Sequence, residues 1–406
     1  MVITGIGALT PIGHGVDGLW AGVQRGQSAV RRLSRFDPSP FRSHLAAEID
    51  ERSLDGVAQL APRRARRLDR FSTLAVASAQ QALADAGLRL DDELASQTGC
   101  YLGSALGGVA FGELQHQLYL DRGAHGVSPT LALSVFGGAG SSNVAIELGL
   151  HGPSLANSNS CAAGAVAIGE AFRLVRAGQT PLLLAGGAEA PLAPLTFGSF
   201  ALVRAMSSAN AEPARASRPF DAARDGFVMG EGAAMLVLEA LPHAHARGAH
   251  IYAEVRGYGL TNDAYDMLAP RPGGAQAARA MRLALADAGA SPADVEYVNA
   301  HASSTPLGDR TEAQAIYSVV GPRVPVSGTK GLYGHPLGAS GAIETAIAAL
   351  AICCGRLPGT ANLACPDADN PLNLLGPAGL QHSPRVVLNN AFGFGGINAA
   401  LVLTAL

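Results

Sequence analysis

Asn157-Ser158-Asn159-Ser160-Cys161-Ala162-Ala163-Gly164 sets a cysteine where a polar loop passes into a small-residue stretch of helical character, Ala162 to Arg176. A thiol at a helix start faces unpaired N–H groups and the positive end of the macrodipole, which favour a thiolate. The small side chains around it let a substrate approach the sulfur. Such a placement suits nucleophilic chemistry. Taken alone it equally describes a buried, inert thiol, the commoner state of cysteine among small apolar residues.

Three further segments carry chemically useful groups. Val298-Asn299-Ala300-His301-Ala302-Ser303-Ser304-Thr305-Pro306 ends an apolar strand on a histidine and continues into a hydroxyl-rich turn. Gly328-Thr329-Lys330-Gly331-Leu332-Tyr333-Gly334-His335 holds a lysine and a histidine in a glycine-rich loop ahead of a helix around Ala342 to Cys354. Lone histidines in such places are commonly structural. Lys330, however, is the only lysine among the 29 lysine and arginine residues. In a chain so biased towards arginine, that points to a need for a compact ammonium rather than a planar guanidinium. Asn389-Asn390-Ala391-Phe392-Gly393-Phe394-Gly395-Gly396-Ile397-Asn398 follows the last core strand and offers backbone N–H groups unobstructed by side chains, suited to a developing oxyanion. Gly5-Ile6-Gly7 is not a dinucleotide fingerprint, because Thr10 and Pro11 stand where the third glycine and the helix start are needed.

The elements that must position these groups come in duplicate. Leu83-Ala84-Asp85-Ala86-Gly87 recurs 202 residues later as Leu285-Ala286-Asp287-Ala288-Gly289, each closing an alanine-rich helical stretch. Strand-like segments precede the two copies, Val2 to Leu9 and Ala253 to Leu260, and others follow, Gly99 to Ser104 and Val295 to His301. Each half then continues to an apolar strand, Pro181 to Gly186 in one and Val386 to Asn390 in the other. Alternating strands and helices with continuous apolar strands predict an α/β fold of mostly parallel sheets covered on both faces, with halves at 1–250 and 251–406. No Pro/Ser-rich linker separates the halves, so one packed body is expected.

Composition narrows the partners. An apolar content of 48% with 15% charged residues describes a folded core, and a formal net charge of -3 gives no bulk attraction to nucleic acid or to an anionic membrane. The five cysteines, Cys100, Cys161, Cys353, Cys354 and Cys365, show no metal-type spacing and read as reduced thiols of a cytoplasmic protein. The N-terminus lacks a basic n-region, and apolar runs such as Thr345 to Cys354 are too short to cross a bilayer.

Together these blocks resemble the β-ketoacyl-acyl carrier protein synthases, specifically the elongating type II branch. The resemblance extends over nearly the whole chain and includes Gly186-Gly187-Ala188-Glu189, Arg218-Pro219-Phe220-Asp221, Asp225-Gly226-Phe227-Val228-Met229-Gly230-Glu231-Gly232 and Thr305-Pro306-Leu307-Gly308-Asp309. It implies a thiolase-like fold with a five-layered α-β-α-β-α core. It also implies a Cys-His-His site in which Cys161 carries the acyl group, His301 and His335 are the catalytic histidines, and Lys330 and Glu344 are supporting charges. The backbone N–H groups of Cys161 and Phe394 would form the oxyanion hole. Leu106, Phe200, Ser303, Thr305 and Phe394 would contact substrate, Phe394 as a gate. The implied reaction is decarboxylative Claisen condensation with malonyl-acyl carrier protein. It needs no metal or organic cofactor beyond the carrier's phosphopantetheine, although some members hold a structural cation near residues matching Asn299 and Asn390.

Initiating synthases of this fold resemble a Cys-His-Asn pattern and thiolases use a second cysteine; His335 within the sequence GHPLGASG disfavours both. Chain-length-factor subunits lack the nucleophile, which this chain retains. The chain departs from the elongating pattern at Asp266 and Leu268, where the family resembles DAYHMT, and at Ala302 and Ser303, where it resembles HGTST. These positions leave open a type II polyketide or polyene pathway with a Cys-less partner, and so a heterodimer in place of a homodimer. A carrier-binding scaffold without activity is disfavoured by the intact Cys161, His301, His335 and Lys330. Arg63, Arg66, Arg67 and Arg204 would dock an acidic acyl carrier protein, if the first three are more than a solvated face. The stretch from Leu131 to Ile146 is expected at a dimer interface.

Overall fold

The computed structural model describes residues 1–54, 58 and 60–406. Its frame is a 12-stranded mixed sheet. The first half contributes β1 (Val2–Thr10), β2 (Gly99–Gly103), β3 (Ser154–Asn157), β4 (Leu182–Glu189) and β5 (Gly232–Glu239). The second contributes β6 (Ala253–Asn262), β7 (Tyr297–Asn299), β8 (Pro325–Ser327), β9 (Val386–Gly393) and β10 (Ile397–Thr404). Helices α1 (Arg70–Asp85), α2 (Ala139–Leu148) and α3 (Ala163–Arg176) intervene in the first half, and α4 (Ala275–Ala288), α5 (Pro306–Val320) and α6 (Ser340–Cys354) at the corresponding places in the second. In space the strands run β3-β2-β4-β5-β1, then β6-β10-β9-β7-β8, so both halves repeat one order. They join where Val2 pairs with Glu254 and Ile3 with Ala253.

The repeated sequence does the same work twice. Asp85 accepts a hydrogen bond from Ile6 N–H at 2.8 Å, and Asp287 accepts one from Tyr258 N–H at 3.0 Å, so each tethers its helix end to the first strand of its half. Gly5 and Gly257 allow that close approach. A Cβ at Gly5 would lie 2.2 Å from the Ala82 carbonyl oxygen, and one at Gly257 would lie 2.1 Å from that of Ala284. The Gly5-Ile6-Gly7 motif is thus a packing device.

Helices and half-sheets alternate in five layers. Phe71, Leu74 and Val76 of α1 pack with Leu102 of β2 and Leu184 of β4 on one outer face. Met281 and Leu285 of α4 pack with Ile316 of α5 and Val298 of β7 on the other. Between the half-sheets, Val166, Ile168 and Phe172 of α3 meet Ile343, Ile347 and Leu350 of α6 in the central core. The run Leu337–Cys354, longer than the run singled out from sequence, is apolar and long enough to cross a membrane by length and composition, yet 83% of it is buried in this middle layer.

The expectation of mostly parallel sheets is corrected. The β2/β3, β2/β4, β7/β8 and β7/β9 pairs are parallel, but β1/β5, β4/β5, β6/β10 and β9/β10 are antiparallel. Burial on both faces removes the apolar alternation of a strand whichever way its neighbour runs, so direction was not written in the pattern. We expect Gly5→Ala and Gly257→Ala to destabilise the protein by comparable amounts, about 1–3 kcal/mol for overpacking. A wild-type urea midpoint for either variant would contradict the shared tether.

Candidate active site

The two central helices begin at one place. Cys161 lies in a short 3-10 turn, Ser160–Ala162, that runs into α3; His335 lies just before the turn Leu337–Ala339 that runs into α6. The helices approach so closely that a Cβ at Gly341 would sit 2.8 Å from Ala165 Cβ. Ser160 takes a left-handed φ of 50°, a costly conformation outside glycine that sharpens the bend presenting Cys161. The result is a contact between Cys161 Sγ and His335 Nε2 at 3.2 Å.

Each histidine is gripped on all sides. The N–H of His335 donates to Val228 O at 2.7 Å, its carbonyl accepts from Gly230 N–H at 3.0 Å, and its ring stands edge-on to Phe227. The block Asp225 to Gly232 therefore acts as a cradle for His335. His335 Nδ1 lies 2.8 Å from Ser340 Oγ. His301 follows β7; Glu312 of α5 accepts its N–H at 2.8 Å and that of Ala302 at 2.7 Å. The two imidazoles are 5.3 Å apart between centroids.

Lys330 explains its own uniqueness. Its buried ammonium donates to His301 O at 2.5 Å and pairs with Glu344 of α6, and His301 Nδ1 lies 3.3 Å away. Three donors converge on three acceptors, a pattern a planar guanidinium does not match. Because an ammonium only donates, His301 Nδ1 is held as an acceptor and its proton sits on Nε2.

Burial governs the ionisation states. It pushes both histidines well below the usual 6.5, with Lys330 adding to the shift, so both imidazoles are neutral. It raises Glu344 and Glu312 to about 7, against Lys330 in the first case and the accepted N–H groups in the second. The thiolate expected from the helix start is corrected for the resting protein. Burial pushes Cys161 up to about 11, outweighing the Ser160 hydroxyl, Lys330 and the Phe394 N–H that favour the anion.

A cavity of about 380 Å³ opens on Cys161, His301, His335, Ser303, Thr305 and Phe394, with Arg204 also on its wall. Lys330 and Glu344 lie behind His301. Leu106 and Phe200 join the apolar cluster around Cys161 and Phe227, where the Phe394 ring stacks on Phe200 at 6.2 Å. Arg63, Arg66 and Arg67 are exposed and none lines the cavity. Ser340, Glu312, Phe227 and Glu189 were not anticipated as site residues. Glu189 accepts from Ser104 Oγ, Ala105 N, Leu106 N and Gly338 N, tying the Leu106 loop to the turn after His335. Of those unanticipated residues, Glu189 carried a signal, as an acidic residue inside the otherwise small-residue block from Gly186.

Comparison with known proteins agrees with this geometry. The family model for the Beta-ketoacyl synthase N-terminal domain matches residues 1–244, and that for the C-terminal domain matches residues 252–364. The chain belongs to the β-ketoacyl synthase family. It is 40% identical over 405 residues to a 3-oxoacyl-[acyl-carrier-protein] synthase 2 of Staphylococcus aureus, covering 99% of this chain and 97% of that one. It is 41% identical over 404 residues to the synthase of the same description from Synechocystis, with the same coverage. Among solved structures, a β-ketoacyl synthase from Burkholderia phymatum superposes with a TM-score of 0.93 at 36% identity, covering 100% of this chain and 99% of that one. The ishigamide ketosynthase/chain length factor does so with 0.92 at 34% identity, covering 100% and 98%. The chain is accordingly a ketosynthase of the elongating kind, an acyltransferase.

If the resting thiol titrates near 11, alkylation of Cys161 by iodoacetamide should keep accelerating as pH rises towards that value. Peptide mass spectrometry over a pH series reads this directly, and a plateau reached near neutrality would show a thiolate already formed.

Proposed function

We propose that this chain elongates an acyl chain held on Cys161 by condensing it with malonyl-acyl carrier protein. The observation that carries this reading is one sulfur against His335 Nε2, with a second neutral imidazole in the same cavity whose proton Lys330 fixes on Nε2. In loading, the Cys161 proton passes to His335 Nε2 as Sγ attacks the acyl thioester carbonyl. The C–S bond to pantetheine breaks, and that sulfur leaves protonated. In condensation the malonyl carboxylate leaves as carbon dioxide, and its electron pair moves onto the thioester oxygen, where Nε2–H groups of His301 and His335 stabilise the enolate. The enolate carbon then attacks the acyl carbonyl, whose oxyanion faces the N–H groups of Cys161 and Phe394. The C–Sγ bond breaks, Cys161 Sγ takes its proton back from His335 Nε2 while His335 Nδ1 regains one from water, and a β-ketoacyl thioester departs.

No organic cofactor enters this sequence. Of the residues matching the family's structural cation site, Asn390 Oδ1 is a buried acceptor without a hydrogen-bond partner among the described residues, but the Asn390 amide faces Met281 of α4 and Glu312 of α5 whereas the Asn299 amide faces Glu344 of α6 and Asn389, on the other side of the sheet. The two side chains do not fit a single ion.

An acyl carrier protein is the substrate donor in this reading, docking on Arg63, Arg66, Arg67 and Arg204, and a cytoplasmic setting goes with it. Support comes from a solved type II PKS ketosynthase bound to its acyl-carrier protein, superposing with a TM-score of 0.91 at 33% identity. A dimer is supported by exposed Leu133, Phe136 and Ile146 within the anticipated interface stretch and by the exposed strand β3, paired with β2 on one edge alone. The second reading, a polyketide or polyene ketosynthase beside a chain length factor, is favoured by the same neighbours and by Asp266, Leu268 and Ser303. The fatty-acid reading fits the curated relatives better.

Cys161 is expected to be the sole cysteine that accepts an acyl group from carrier thioesters, read by peptide mass spectrometry. His335→Ala should leave that acylation detectable while stopping release of carbon dioxide from malonyl carrier protein; normal release would refute the role. Light scattering should give a dimer mass for the chain alone and a heavier complex with added holo-carrier. That complex should be lost in Arg66→Glu/Arg67→Glu at unchanged dimer mass, whereas retained complex would make the cluster a solvated face.

A further inference from the structure

His301 and His335 share one cavity but differ in what stands behind them. Lys330 Nζ, beside His301 Nδ1 at 3.3 Å, carries only donors and locks one tautomer. Ser340 Oγ, beside His335 Nδ1 at 2.8 Å and fully buried, both donates and accepts. We propose that Ser340 is a positioning residue whose hydroxyl allows His335 to exchange tautomers when Cys161 becomes acylated, an inference resting on the function proposed above.

The two states of Cys161 demand opposite tautomers. While the thiol is free its hydrogen points at Nε2, 3.2 Å away, so Nε2 accepts and the ring proton sits on Nδ1, donated to Ser340 Oγ. Acylation replaces the thiol hydrogen with carbon and leaves Nε2 nothing to accept from. The thiol's hydrogen stays on Nε2, the Nδ1 hydrogen leaves to water, and the departing pantetheine sulfur takes a hydrogen from water, so atoms and charge balance. The Ser340 hydroxyl then turns to donate to the bare Nδ1. His335 is now a donor at Nε2, as the malonyl thioester oxygen requires, and joins His301, which is a donor throughout. A backbone N–H or a carbonyl in place of this hydroxyl would fix His335 in one role.

The full chain labelled with nitrogen-15 histidine tests this, the His335 signals being assigned by their loss in His335→Asn. NMR is recorded before and after alkylation of Cys161 with iodoacetamide, which removes the thiol hydrogen as acylation does. The expected result is a proton on Nδ1 before and on Nε2 after; one tautomer in both states overturns the proposal. Ser340→Ala should abolish the exchange and slow both half-reactions about tenfold, the scale of one buried hydrogen bond, with Ser340→Thr restoring both. Wild-type rates in Ser340→Ala would equally overturn it. Alkylation needs no carrier substrate, so failure of Cys161 to accept an acyl group would count against the proposed function while this experiment stayed readable.

Discussion

Burying an ammonium and a carboxylate together costs on the order of several kcal/mol per ion unless the remaining donors and acceptors are met, and the Lys330–Glu344 pair is wholly buried. Its geometry therefore dictates its surroundings. Glu344 must come from α6, which places that helix in the middle layer. The carbonyl and Nδ1 of His301 must come from the end of β7. Glu312 must then hold the His301 and Ala302 N–H groups so that the strand ends there. One cation thus fixes a helix, a strand end and an imidazole tautomer.

The duplication supplies the rest of the arrangement. Two equivalent helices, α3 and α6, meet back to back in the centre, and each is preceded by a short turn at the same level of the fold. The symmetry is broken in chemistry: the first turn carries a nucleophile, and a histidine stands just before the second. Close packing at Gly341 and Ala165 brings those two turns within reach, and the Ser160 bend and the Asp225 to Gly232 cradle then set the 3.2 Å separation of Cys161 and His335.

Much of this was legible in residue order because the signals were local. The repeated Leu-Ala-Asp-Ala-Gly marked the halves, and it did so because Asp85 and Asp287 make the same bond to equivalent strands. The solitary lysine marked the site because its three acceptors reject a guanidinium. Strand direction was hidden, since doubly covered strands are apolar either way. Ser340 and Glu312 were hidden for another reason: their partners are 5 and 11 residues distant and meet them only through turns whose shape the pattern does not encode. The thiol's ionisation was misjudged because a helix start announces its dipole in sequence, whereas the depth of burial does not.

That burial sets opposed dependences on pH. Glu189, Glu312 and Glu344 are raised from 4.5 to about 7, so the native state holds their protons more tightly than the unfolded chain, and their contribution to stability falls as pH rises through that interval. The histidines are lowered below 6.5, so the unfolded chain takes up protons there that the native state refuses, and stability falls as pH drops past that value. Neutral imidazoles are what enolate stabilisation requires, and they are positioned by buried carboxyl groups, Glu189 and Glu312 on backbone N–H groups and Glu344 on the Lys330 ammonium. The two effects therefore oppose one another on the acid side of neutrality: the carboxyl cost is complete by about pH 7, and the imidazole cost grows below 6.5. Three large apolar cores around the site, one on each outer face and one between the half-sheets, are the counterweight that lets so many ionisable groups remain buried at the meeting of the two central helices.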